Sequence, residues 1–230
     1  MTQDLLQVRS FGVSFYVLRD THGLYLIDGG FIGGRSSLDR AIRNNGWDRA
    51  PILGIILTHG HLDHILNVAR LVEDTGAWVA APRLDGPHYQ GHPTYDGAAR
   101  FAGCLESIGR PILGFRAFTP NRLVDDGDFL DVWHGLKVVH LPGHTEGHSG
   151  FYCEKLQLLF CGDLFASLGC LSHFPPAIFN SDGGQMAASV SKALALELVG
   201  ILPNHADSAS PDVHLQRLQA LIRNNGNIKI

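Results

Sequence analysis

Four potential metal ligands fall within six consecutive positions of the string Thr58-His59-Gly60-His61-Leu62-Asp63-His64. Imidazole nitrogen and carboxylate oxygen both suit Zn. Alternating residues of an extended segment point to one side, so His59 and His61 can converge on one cation, while a turn into a helix directs Asp63 and His64 to a second. Three later signals have the same form: His144 in P-G-H-T-E-G-H, Asp163 in C-G-D, and His205 in L-P-N-H-A-D. A carboxylate can bridge two cations and offset their repulsion, and Asp163 is the candidate bridge. Two cations about 3.5–4 Å apart can share a water, lower its pKa and present a hydroxide to a bound carbonyl. Such a centre needs no Ser or Cys nucleophile. Asp63 is the candidate to orient the hydroxide or pass a proton to the leaving group.

A lone His beside a Gly is ordinarily a hydrogen-bonded surface residue. Four ligands at the mouth of an apolar strand have few explanations other than a metal. That strand is Pro51 to Leu57, an unbroken run of apolar residues and Gly, and a helix from Leu62 to Thr75 follows, with Gly76 as its stop. Upstream, Val13 to Arg19 and Leu24 to Asp28 read as a hairpin turning at residues 20–23, and Ser36 or Ser37 caps a helix that ends before Gly46. Ala77 to Ala81 is a further strand. Residues 82–114 carry mixed Gly and Pro signals around a short helix, Ala98 to Ile108, and read as a lid or insertion. Strands return at Leu123 to Val124, Phe129 to Val132, Leu136 to Leu141, Gly150 to Glu154 and Leu158 to Cys161, forming a second meander. A helix over Gly183 to Val199 capped by Asp182, a strand Gly200 to Leu202 and a helix from Ser210 to Asn225 complete the order. His144, Asp163 and His205 each follow an expected strand. No linker divides the 230 residues, so one domain with two pseudo-repeated layers around a shared core is expected.

Hydrophobic residues make up 45% and charged residues 17%, which permits a large core and argues against disorder. The net charge of -4, without a Lys or Arg run, disfavours nucleic acid as a partner. No stretch approaches the roughly 20 apolar residues of a membrane span. The N-terminus lacks a basic segment followed by an apolar core, so a cytoplasmic location is expected. Cys104, Cys153, Cys161 and Cys170 form no C-x-x-C pair and read as reduced, mostly buried thiols. The expected partner is a small-molecule substrate, with neither nucleic acid nor membrane; a homodimer is left open.

In combination, T-H-G-H-L-D-H, P-G-H-T-E-G-H-S, C-G-D and a late His resemble the metallo-β-lactamase superfamily from about Phe11 onward. The resemblance implies an α/β fold, a four-layer αββα sandwich of two mixed sheets flanked by helices, with metals at one edge between the sheets. It implies that His59, His61 and His144 hold the first metal, that Asp163 bridges, and that Asp63, His64 and His205 hold the second. The cofactors would be two divalent metal ions, Zn with Fe or Mn as alternatives. Asp28, in L-I-D-G-G, matches an early Asp-Thr-Gly turn beside the site. Two departures stand out: Gly29 replaces the Thr, which would loosen a supporting hydrogen bond, and Asn204-His205-Ala206 replaces Gly-His-Gly, which makes His205 the least secure ligand.

Asp163 stands where true β-lactamases place Cys or Ser, so the chain is more similar to the glyoxalase II, lactonase and thioesterase side. Only 25 residues follow His205, which disfavours glutathione thioesters. The function implied is a hydrolase using a metal-bound hydroxide on a small ester, lactone or thioester. The alternatives are a mononuclear Fe sulfur dioxygenase or a catalytically weak regulatory module that keeps the metal. Specificity is expected from the 82–114 insertion and from the segment after Asp163, including His173, Phe174 and Phe179. Tyr89, His92 and Tyr95 read equally as substrate contacts or as partly exposed aromatic packing in the lid; His148 supports the metal loop and Cys161 is strand packing.

Overall fold

Runs of apolar residues with no polar alternation dictate strands buried on both faces, and the computed structural model, which describes residues 3–93, 95 and 99–224, places them so. Strands β1 (Leu5–Ser10), β2 (Val13–Arg19), β3 (Leu24–Ile27), β4 (Ile52–Ile56), β5 (Trp78–Pro82) and β6 (Arg122–Val124) form one sheet in sequential order. Pairing is antiparallel from β1 to β3 and parallel from β3 to β6. Strands β7 (Phe129–Leu130), β8 (Leu136–His140), β9 (Ser149–Cys153), β10 (Leu158–Gly162) and β11 (Gly200–Pro203) form the second, in the order β11-β10-β9-β8-β7. Only the β10–β11 pair there is parallel.

The period-2 alternation of side chains sorts each strand between two interfaces. In β2, Phe15 and Val17 face the helices α1 (Gly34–Asn44) and α3 (Val68–Thr75), meeting Leu38, Ile42, Val68 and Leu71. Tyr16 and Leu18 point the other way, into the space between the sheets, where they join Phe151, Phe160 and Leu202. On the second sheet Leu159 and Cys161 face outward to α6 (Met186–Leu194) and α7 (Pro211–Asn224). The result is the expected four-layer sandwich, with three packed interfaces in place of the one shared core. A four-layer stack needs an apolar seam at each layer boundary, and both faces of both sheets supply it.

Several boundaries differ from expectation. The N-terminal segment adds β1, and Leu123–Val124 belongs to the first sheet, paired with β5 rather than to the second meander. Helix α1 begins at Gly34 after Gly33 in the left-handed region, without a Ser side-chain cap. The helix expected over Leu62 to Thr75 is split into α2 (Leu62–Ile65) and α3, because the Asn67 side chain turns aside to the carbonyls of Gly29, Gly30 and Phe31. In the 82–114 segment, α4 (Gly86–Tyr89) precedes α5 (Arg100–Ile112); the expected start at Ala98 lies outside the described residues, as does Asn225. Helix α6 is shorter than expected, and Asp182 instead closes the turn before it by accepting from the Gly184 amide. Cys153 and Cys161 are buried, but Cys104 and Cys170 are exposed. No helix among the described residues is long and apolar enough to cross a membrane.

Phe160 is fully buried between the sheets, edge-on to Tyr16 with ring centroids 5.4 Å apart. Phe160→Ala should therefore cost about 3–5 kcal/mol in urea unfolding. Ile112→Ala, at a position 76% exposed, should change stability by less than about 0.5 kcal/mol. Equal effects of the two would contradict this packing.

Candidate metal centre

Strands β8, β10 and β11 run in one direction, since β8 and β10 are each antiparallel to β9 and β11 is parallel to β10. The loops carrying His144, Asp163 and His205 therefore leave the same edge of the second sheet. The loop carrying His59 to His64 leaves the end of β4, and α2 starts within it. The tight turn is enforced by packing: at Gly60 a Cβ would lie 2.4 Å from the His88 Cβ, so only glycine fits.

The two sets of loops bring all seven residues together. The ligand atoms of His59, His61 and His144 lie within 4.8 Å of one another, and so do those of Asp63, His64, Asp163 and His205. Asp163 Oδ2 stands between the groups, 3.9 Å from His59 Nε2, 3.3 Å from His144 Nε2, 3.4 Å from His64 Nε2 and 3.1 Å from His205 Nε2. Asp63 Oδ2 is 3.6 Å from His64 Nε2 and 3.5 Å from His205 Nε2. For Zn–N bonds of about 2.0–2.1 Å, the edge of a tetrahedron is about 3.3 Å. The observed spacings cluster around that length.

Four of the five rings are turned by the hydrogen bond at the other nitrogen. His59 Nδ1–H donates to the Thr58 hydroxyl (3.0 Å), which itself donates to Asp28 Oδ2. His64 donates to Asp28 Oδ2 (3.1 Å), His144 to Asn180 Oδ1 (3.1 Å) and His205 to the Gly12 carbonyl (3.1 Å). With Nδ1 so engaged, Nε2 is the atom that each of these rings turns toward Asp163. The Nε2 atoms of His59, His61, His64 and His144 are buried without a hydrogen-bond partner, as is Asp163 Oδ1. Orphaned buried polar atoms are rare because each forfeits its hydration. Four such nitrogens and a carboxylate oxygen, all on residues of the two clustered groups, fit metal ligation.

The electrostatics agree. Burial pushes His59 and His61 well below the usual imidazole range, leaving them neutral. Beside them, the Asp163 carboxylate drives His205 up to about 10, and Asp163 and Asp63 hold His64 high against the effect of burial. Burial opposes ionisation of Asp163, yet His205 and His64 keep its pKa well below the carboxylate range. His59 and His61 are thus neutral nitrogen donors, while Asp63 and Asp163 form an acidic pair that attracts positive charge.

A family model of the metallo-beta-lactamase superfamily matches residues 8–203. The chain belongs to this superfamily. It is 34% identical over 144 residues to a hydroxyacylglutathione hydrolase of Aeromonas hydrophila, covering 62% of this chain and 42% of that one; the chain spans less than half the length of that relative. The metallo-beta-lactamase family protein TTHA1429 from Thermus thermophilus superposes with a TM-score of 0.75 at 20% identity, over 98% of this chain and 80% of that one. TTHA1623, solved in a di-iron-bound form, superposes with a TM-score of 0.67 at 25% identity, over 92% and 96%.

The departures from the superfamily's pattern are absorbed by packing. A Cβ on Gly29 would lie 2.8 Å from Val68 Cγ2, so no Thr fits there, and the hydroxyl that meets Asp28 comes from Thr58 instead. Asn204 is fully buried, and its amide donates to the Ser14 carbonyl (2.8 Å) and to Asp28 Oδ2 (2.7 Å). His205 is tied from behind as well: its carbonyl accepts from the Ser167 amide, and the Ser167 hydroxyl pairs with buried His214 of α7 at 2.7 Å. Its altered flanks therefore hold His205 in place.

Other supports escape sequence reasoning. Buried Asp85 accepts from the Gly60 amide (2.8 Å), the Thr145 hydroxyl (2.7 Å) and the Gly147 amide (2.7 Å), joining the two His-bearing loops. Nothing in L-D-G-P marks it. Asn180, which turns His144, lies 36 residues from it. His148 supports the site as expected: its Nδ1–H donates to the Leu141 carbonyl and its Nε2 accepts from the Asp163 amide, and burial pushes its pKa down to about 3.

A cavity of about 480 Å³ opens over the cluster, with His61, Asp63, His144, Asp163 and His205 in its floor. Tyr95 and Phe179 line it, and Tyr95 stacks on His61 with centroids 5.6 Å apart. Tyr89, His92, His173 and Phe174 do not line it. Tyr89 is a core residue whose hydroxyl donates to the Pro82 carbonyl, His92 and His173 are exposed, and Phe174 packs against the outer core of the second sheet.

Asp28→Ala would strip the acceptor from Thr58, His64 and Asn204 together. It should weaken divalent-metal affinity about 10–100-fold, measured by competition with a chromogenic chelator. Unchanged affinity would refute the orienting role.

Proposed function

We propose that this chain is a metal-dependent hydrolase acting on a small ester, lactone or thioester at a dinuclear centre. His59, His61 and His144 would hold one divalent cation, Asp63, His64 and His205 the other, with Asp163 shared. The observation that carries this reading is the position of Asp163 Oδ2, within 3.1–3.9 Å of imidazoles from both groups, whose Nε2 atoms are largely orphaned. Bound divalent cations would supply Lewis acidity, lowering the pKa of a water and stabilising negative charge on a carbonyl oxygen.

The chain's own groups do the rest. Asp63 lines the cavity and is held ionised by His64 and His205 although burial opposes it, so it can accept a proton from the attacking water and return it to the leaving group. His61 and His144 fix the floor, and the apolar walls exclude bulk water and strengthen the polar contacts beneath. Tyr95, Ala102, Leu105, Glu106, Gly109 and Leu113 all line the cavity, which supports the segment 82–114 as its cover. The hydroxyacylglutathione hydrolase named above supports hydrolysis, and the di-iron form of TTHA1623 keeps Fe beside Zn as a candidate metal.

His61→Ala should reduce bound metal and bring hydrolysis of generic esters to background, whereas unchanged hydrolysis would overturn metal catalysis. Asp63→Asn should lower kcat by roughly 10²–10⁴. Elemental analysis of protein purified without added metal should find two divalent ions per chain. A single Fe with oxygen-dependent turnover would overturn the hydrolase reading.

A further inference from the structure

Around the polar floor, the cavity is walled by Phe31, Leu62, Leu105, Leu113, Phe165 and Phe179. None of the described lining residues is Lys or Arg. The charged wall residue is Glu106, and it is already engaged: Oε1 accepts from the Leu62 amide (2.8 Å) and Oε2 from Arg110 (2.7 Å). Arg110 is buried, gives its remaining contact to the His88 carbonyl (3.0 Å) and stacks on Phe115, so it cannot turn into the cavity without breaking these bonds. With Asp63 and Asp163 committed to the metals, a leaving-group carboxylate lying along the walls would meet Glu106 and hydrocarbon, with no Lys or Arg among the described lining residues to pair it, and an unpaired buried charge is costly. An alkyl chain would meet hydrocarbon. Leu105 belongs both to the wall and to an exposed apolar line on α5, Phe101, Leu105, Ile108 and Ile112, spaced to share one helix face. A chain too long for the cavity can continue along that face.

Building on the hydrolase reading, we propose that the substrate is a neutral ester or thioester with an apolar acyl chain lying along α5, rather than a thioester whose leaving group carries free carboxylates, as glutathione does. Water adds to the acyl carbon, the C–O or C–S bond breaks, the acyl group leaves as the acid, and the alcohol or thiol takes the proton.

The test uses metal-loaded protein and N-acetylcysteamine thioesters from acetyl to decanoyl, set against a hydroxyacylglutathione. We expect kcat/KM to rise about fourfold per added methylene until the cavity is filled, and the hydroxyacylglutathione to fall at least about 100-fold below the octanoyl compound. Leu105→Lys, at a position 53% exposed and with folding checked by its Tm, should flatten the chain-length series and raise turnover of the glutathione thioester. Calorimetry with the uncharged amides, acetamide to decanamide, reads the same gradient without turnover. Hydrolysis with a flat series, or a preference for the glutathione thioester, would overturn this proposal and leave the hydrolase reading intact. A gradient in amide binding with no hydrolysis would overturn the hydrolase reading and keep the pocket's selectivity; no gradient in either would overturn the proposal.

Discussion

The Asp28 carboxylate is where the two sheets are tied to the site. It accepts from the Thr58 amide and hydroxyl, from His64 Nδ1 and from the Asn204 amide, drawing together the ends of β3 and β4, the start of α2 and the end of β11. Asp28 itself holds φ of 67°, a region that costs a non-glycine residue about 1–3 kcal/mol and persists only where surrounding contacts over-determine it. Four donors on one buried carboxylate are such contacts, since charge-assisted hydrogen bonds are the strong ones. Loosening this node would free a ring from each metal group, one directly and one through Thr58.

From that node the polar order runs outward in two further ties. Asp85 links the loop of His59 to His64 with the loop of His144, bridging the edge between the sheets, and His148 places the Asp163 backbone. Four of the five ligand rings are therefore oriented by hydrogen bonds before a cation arrives, which cuts the reorganisation that binding would otherwise demand. The cost is a cluster of buried nitrogen lone pairs and carboxylates facing one another, tolerable only because burial keeps some rings neutral and the carboxylates share protons with the others.

Helix α5 connects this centre to what it would act on. Glu106 accepts the first amide of α2, so the helix that walls the cavity is bonded to the backbone between His61 and Asp63. Its Arg110 partner is buried by the same arrangement, and the wall is left apolar. One ion pair thus fixes both the position of the cover and the chemical character of the pocket.

The local pattern of the chain determined the strand cores and the ligand types. Both-sided apolar runs such as β2, β4 and β10 are legible because burial on two faces demands apolar residues at every position, and T-H-G-H-L-D-H is legible because its donors are adjacent in sequence. Local signals also named His144, Asp163 and His205, since each follows a strand. What the sequence could not contain was partnership across distance. Asp85 and Asn180 are unremarkable in their own segments and acquire roles only when folding sets them against residues 25 to 62 positions away. Tyr89 looked like a substrate contact because it sits in the cover, but its aromatic body is driven into the core beside β5. Gly29 and Asn204 looked like losses; the tertiary structure turns them into fit, because van der Waals contact with Val68 and hydrogen bonds to Ser14 and Asp28 exist only once the two sheets have closed on each other.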